Sequence, residues 1–220
     1  MLAVLYDIHA NLPALEAVVR DAREAGADEW LLGGDYVGFG PFPRETLELL
    51  DSLRPATWIR GNGERWIREP PPDLPEVLPG IELAKAAFDE ATLERLYGLP
   101  TDAERDGTLF VHGSPASDVE SFAREPQEGE ESMLAGVRDR SVVFGHSHLQ
   151  FRRPGPNGTD LVNPGSVGMP LDGDQRAAWA SWDSDFVFHR VAYDVERAIA
   201  AAPEGPLGEM MVGRYQRASD

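Results

Sequence analysis

Leu2-Ala3-Val4-Leu5-Tyr6-Asp7-Ile8-His9 opens the chain, and its reading decides the fold. Five apolar residues without a break describe a strand buried on both faces. The run ends on a carboxylate and, two residues later, an imidazole. A helix comes next: Asn11 suits its cap, Pro13 its first turn, and Leu15, Val18, Val19 and Ala22 one apolar face, with Gly26 at its end. The next run, Trp30-Leu31-Leu32, leads into Gly33-Gly34-Asp35. After a helical pattern over 44–53, Thr57-Trp58-Ile59 leads into Arg60-Gly61-Asn62-Gly63. This β-α-β-α-β alternation calls for parallel strands joined by helical crossovers.

The same device recurs further on. Leu109-Phe110-Val111 runs into His112-Gly113-Ser114, and Val142-Val143-Phe144 into Gly145-His146-Ser147-His148. Between them, Pro70-Pro71-Pro72 marks an irregular connection, 81–96 reads as helix in two pieces, and 116–131 is a polar loop. Beyond residue 148 the pattern suggests antiparallel strands at Leu161-Val162, 177–182 and 186–193, then a helix over 195–202. These later strands are expected in a second sheet packed on the first. The fold expected is α/β, as one domain over 1–220 with a helical insertion around 64–100. The insertion and the 116–131 loop are expected to shape the pocket.

Each apolar run thus ends in a metal-binding side chain. Asp7, His9, Asp35, Asn62, His112, His146 and His148 include four of the five histidines. Parallel strands deliver the residues at their carboxyl ends to one edge, where open α/β sheets bind ligands. In extended chain, residues i and i+2 share a face, so Asp7 with His9, and His146 with His148, are expected to point the same way. Oxygen and imidazole donors without thiolate favour Mn²⁺, Fe²⁺, Zn²⁺, Ni²⁺ or Co²⁺. Seven donors exceed one tetrahedral zinc and suit two ions at about 3.5–4 Å with a shared carboxylate.

Composition sets the outer limits. Of 220 residues, 20 are basic and 38 acidic, a formal charge of −18, and cysteine is absent. That excludes disulfides, iron–sulfur clusters and a cysteine nucleophile. It also disfavours long nucleic acids and anionic membranes as partners. Residues 1–6 carry no Lys or Arg and are interrupted by Asp7, unlike a signal peptide, so a cytoplasmic location is expected. Ser114 reads as a turn residue or a support behind the ligands, since no nucleophile elbow surrounds it, and His189 as structural or exposed. Asn11 and Arg60 are candidates for contact with the ligands or the substrate.

Taken in order, Asp7-Ile8-His9, Gly34-Asp35, Gly61-Asn62-Gly63, His112 and Gly145-His146-Ser147-His148 resemble the signature of the calcineurin-like metallophosphoesterases. Leu161-Val162-Asn163-Pro164-Gly165-Ser166 resembles their small bacterial and archaeal branch. The resemblance implies a four-layer α-β-β-α sandwich of two facing mixed sheets. It implies one ion on Asp7, His9 and His148, another on Asn62, His112 and His146, and Asp35 bridging. A hydroxide between the ions would attack phosphorus in line, with Asp35, Asn62 and His112 counted as catalytic.

This chain departs from the family pattern at two places. Ala10 stands where the family commonly has glycine. Gly63 stands where many members have a histidine that assists the leaving group. A general acid contributes about 10²–10⁴-fold, so activated leaving groups and phosphodiesters are expected to be preferred. Glu64 and Arg65 are nearby charged candidates, Arg65 for phosphate oxygens. A small phosphate-ester substrate is implied, and self-association is compatible. The alternative is a non-enzymatic protein-interaction scaffold on the same fold.

Overall fold

The computed structural model describes residues 1–219. Its elements, in chain order, are β1 (Leu2–Leu5), α1 (Leu12–Glu24), β2 (Glu29–Leu32), α2 (Pro43–Ser52), β3 (Ala56–Trp58) and α3 (Asn62–Trp66). They continue with α4 (Leu78–Ala87), α5 (Glu90–Tyr97), β4 (Asp102–Arg105), β5 (Thr108–Val111), α6 (Glu130–Met133) and β6 (Ser141–Val143). The last are β7 (Phe151–Pro154), β8 (Asp160–Asn163), β9 (Ala177–Trp182), β10 (Phe186–Val191), α7 (Val195–Ala200) and α8 (Pro206–Arg217). Among the described residues no helix is long and apolar enough to cross a membrane.

Two five-stranded mixed sheets face each other, ordered β10-β9-β1-β2-β3 and β4-β5-β6-β8-β7. Strand alternation explains why the opening run must be apolar throughout. Leu2 and Val4 point between the sheets and meet Phe110, Val143 and Val162. Ala3 and Leu5 point the other way, toward Leu15 and Val18 of α1 and Leu47 and Leu50 of α2. The second sheet repeats this logic. Phe110 faces inward, while Leu109, Val111 and Val142 pack outward on Phe122 and Leu134. The outer layer there is the 114–137 segment, carrying only the short α6. The 64–100 stretch holds α3, α4 and α5, and Ala84, Leu93 and Leu96 join the core of the first sheet.

Several sequence expectations are corrected. The β9–β10 hairpin completes the first sheet, because β9 lies antiparallel on β1 with Leu2 opposite Trp182 and Val4 opposite Ala180. The strand around Leu161-Val162 runs parallel to β6 and is antiparallel only to β7. Edge strands β4 and β7 escaped the sequence reading for one reason. Asp102-Ala103-Glu104-Arg105 and Arg152-Arg153-Pro154 carry charge and proline, which suit an edge and mask the apolar alternation. α3 also escaped: Asn62 opens a one-turn helix rather than sitting in a loop.

Candidate metal centre

β1, β2 and β3 are mutually parallel, as are β5 and β6 across the gap. Their carboxyl ends therefore deliver Asp7 and His9, Asp35, Asn62, His112, and His146 and His148 to one edge. Six of these seven are buried, and His146 is partly exposed. All seven residues named from the sequence are brought together.

The backbone does this differently from the extended geometry expected. Asp7, His9, Asp35, His146 and His148 all have φ between +46° and +63°, in the left-handed region. Asp and His tolerate it better than most residues, at a cost of about 1–2 kcal/mol each. Backbone bonds hold the bends: Asp7 N–H donates to Gly34 O at 3.1 Å, and His9 N–H to Asp35 O at 2.9 Å. Ala10 also sits at φ +48°, a conformation that explains a preference for glycine there. His146 and His148 consequently do not share a partner. His148 turns to His9, and His146 to Asn62 and His112.

Gly34 and Gly145 are needed for close approach. A Cβ on Gly34 would lie 2.7 Å from His112 Nδ1, and one on Gly145 would lie 2.6 Å from Asp7 Oδ2. Glu64 is buried at the third position of α3. Its carboxylate accepts from Asp35 N–H at 2.9 Å, Tyr36 N–H at 2.8 Å and Gly61 N–H at 3.0 Å. It thereby ties the Asp35 turn to the start of α3. The signal for it was the placement of Glu two residues after Asn62, the third position of a capped helix.

The donors meet with lone pairs opposed. His9 Nε2 lies 3.0 Å from His148 Nε2. Their other nitrogens face carbonyls, His9 Nδ1 at 3.1 Å from Gly38 O and His148 Nδ1 at 2.7 Å from Met169 O. Donation to those carbonyls leaves both Nε2 atoms unprotonated. Burial pushes His9 down to about 3 and His148 well below the usual histidine range, so neither is charged. Two bare imidazole lone pairs face to face call for a cation between them.

A second convergence lies beside the first. Asn62 Oδ1 is 2.9 Å from His112 Nε2 and 2.8 Å from His146 Nδ1. His112 Nδ1 is bonded to Gly33 O at 2.9 Å, leaving Nε2 as acceptor. Turned over, the Asn62 amide would donate to both rings. A cation would instead hold its oxygen inward. Burial lowers His112, and lowers His146 to about 4.

The carboxylates lie between the two groups. Asp35 Oδ2 is 3.7 Å from His9 Nε2, and its Oδ1 is 3.5 Å from His112 Nε2 while accepting from Gly63 N–H at 2.7 Å. Asp7 Oδ2 accepts from His146 N–H at 3.0 Å. Asp7 Oδ1 is buried with no hydrogen-bond partner, 3.6 Å from His148 Nε2 and 3.9 Å from His112 Nε2. Burial, then the charge of Asp35, pushes the Asp7 carboxyl well up, and burial brings Asp35 to about 6. Donor atoms around one ion at bond lengths of about 2.0–2.3 Å stand roughly 3–3.5 Å apart, close to the separations here. Residues of this kind fit cations. Asp7 belongs to both groups, Asp7–His9–His148 and Asp7–Asp35–His112, a sharing the sequence did not suggest.

The other sequence candidates stand outside the donor cluster, although Arg60, Arg65 and Ser114 line a cavity with His112. Asn11 is a buried cap, accepting from Ala14 N–H and donating to Gly168 O. Arg60 donates to Tyr97 O and lies over its ring. Arg65 is held by Asp118 through two bonds of 2.6 and 2.8 Å. Ser114 Oγ donates to Ser117 O within a turn, and His189 stacks on Trp179. Asp118, beside a side cavity of about 440 Å³, came from the polar loop and carried no motif.

The chain matches the model of the calcineurin-like phosphoesterase superfamily domain over residues 1–185. Protein MJ0912 of Methanocaldococcus jannaschii is 28% identical over 239 residues, covering 96% of this chain and 95% of the relative. The crystal structure of a metallophosphoesterase from Sphaerobacter thermophilus has a TM-score of 0.80 at 28% identity, over 99% of both chains. Hypothetical protein PH1004 of Pyrococcus horikoshii has a TM-score of 0.83 at 21% identity, over 100% of this chain and 99% of that one. The second structure is similar in fold.

Proposed function

The chain belongs to the calcineurin-like phosphoesterase superfamily, and from that premise we propose a hydrolase of small phosphate esters, phosphodiesters preferred, that works with two divalent cations. The observation that carries the reading is the opposition of unprotonated lone pairs, His9 Nε2 against His148 Nε2 at 3.0 Å, beside the orphaned Asp7 Oδ1. In this reading Asp7, His9 and His148 hold one ion, Asn62, His112 and His146 the other, and Asp35 turns one oxygen to each group. Mn²⁺, Fe²⁺, Zn²⁺, Ni²⁺ and Co²⁺ all suit these donors. Such ions supply a water acidic enough to act as nucleophile at neutral pH and offset charge on the phosphoryl oxygens.

The protein's part is orientation. Gly38, Gly33 and Met169 carbonyls fix the rings of His9, His112 and His148, and Glu64 fixes the turn that carries Asp35. The buried site raises the strength of every charge in it. Gly63 presents no acid to a departing alkoxide, so the reading favours esters whose leaving group needs no proton.

The test is hydrolysis of bis(p-nitrophenyl) phosphate by protein loaded with Mn²⁺, Ni²⁺ or Co²⁺. Expected are metal-stimulated turnover and about two ions per chain. His146→Ala should cut turnover by at least ~10³-fold with loss of metal stoichiometry. Two bound ions with no turnover on any diester, monoester or pyrophosphate would favour the scaffold instead.

A further inference from the structure

We propose that Arg214, on the last turn of α8, grips the phosphoryl group of the substrate. The inference rests on the phosphoesterase reading and deepens it, because α8 lies beyond residue 185, where the family match ends. The cavity above the donor cluster holds about 230 Å³, and five of the seven donors line it. Arg214 is the one guanidinium among the described residues lining it. The remaining wall is apolar, made by Phe39, Trp66, Val77 and Leu171.

Packing holds the arginine at this place. Met211 and Tyr215 bury the inner face of α8 against Met169 and Ala198. Arg214 stands three residues beyond Met211 and so projects beside that anchored face. Its Nη1 donates to Met169 Sδ at 3.2 Å. Met169 O in turn accepts from His148 Nδ1 at 2.7 Å. One residue therefore positions both a candidate ligand and the guanidinium.

The chemistry suits a phosphate ester. A guanidinium stays charged and offers paired N–H groups that match two oxygens of one phosphoryl group. The apolar wall strengthens the attraction and gives an organic substituent somewhere to lie. A chain of net charge −18 repels anions at long range, so a cation at the cavity gives the substrate a local reason to enter.

The test compares full-length, Mn²⁺-loaded wild type, Arg214→Ala and Arg214→Lys. Metal content, melting temperature, the Kd of inorganic phosphate by calorimetry, and kcat/KM on bis(p-nitrophenyl) phosphate are measured. Arg214→Ala should keep both ions and its melting temperature, and weaken phosphate binding and kcat/KM by about 10–100-fold. Arg214→Lys should fall between. Unchanged phosphate affinity in Arg214→Ala would overturn the proposal. So would loss of metal from that variant, since Arg214 would then act only by supporting His148. A wild type that binds phosphate but turns over no ester would defeat the functional reading alone, leaving phosphate binding to judge Arg214.

Discussion

Position 63 shows how one side chain sets the chemistry. A Cβ on Gly63 would stand 2.9 Å from Asp35 Oδ1, the oxygen that accepts the Gly63 N–H. Gly63→His should therefore have two opposed effects. The metal titration midpoint moves up as Asp35 yields a few tenths of an ångström, roughly tenfold at most. At saturating Mn²⁺, rates on alkyl esters rise about tenfold or more relative to p-nitrophenyl esters. An unchanged ratio would remove the link between Gly63 and leaving-group choice. Glu64 offers a second test. In Glu64→Gln, one of its three backbone N–H partners meets an amide N–H instead of an oxygen. The expected cost is about 1–3 kcal/mol in chemical denaturation, with metal affinity reduced some 10–100-fold. Full metal affinity in that variant would mean that Asp35 is held by other contacts.

At the scale of elements, the site depends on parts far apart in sequence. β1 and β6 belong to different sheets, yet His146 N–H donates to Asp7 Oδ2, fastening the two strand ends together. α8 is seated by the packing of Met211 and Tyr215, and Gln175 Nε2 donates to Gln216 O of its last turn. Met211 is fully buried in that packing. Met211→Ala should thus lower stability by about 2–4 kcal/mol. A melting curve indistinguishable from wild type would show that α8 docks by other means.

Acid–base linkage acts on the molecule as a whole. Asp35 is raised to about 6 and Asp7 well up, both first by burial. A raised group lends stability that is full below its unfolded pKa, about 3.8, and is lost as pH rises through the folded value. The metal-free protein therefore bears the cost of two buried carboxylates at neutral pH. The histidines act oppositely: lowered by burial, they lend stability above about 6.5 that is lost as pH falls toward 4 for His146 and 3 for His9. Cations remove the carboxylate cost, so EDTA should lower the melting temperature most above pH 7. The gap should shrink below about pH 6, where protons compete for Asp35. A gap independent of pH would contradict this. By itself, the sequence named the seven candidate donors, the parallel strands that carry them and the family. Each of these is written locally, as an apolar run with a ligand at its end. Tertiary structure alone decided which donors meet, because left-handed turns at His146 and His148 send neighbouring side chains to different groups. It also decided that Asp7 Oδ1 stands near both His148 and His112 and that the β9–β10 hairpin returns to β1. Arg214 was invisible for the same physical reason: its place at the cavity is set by α8 packing on Met169, a contact between segments that no local pattern encodes.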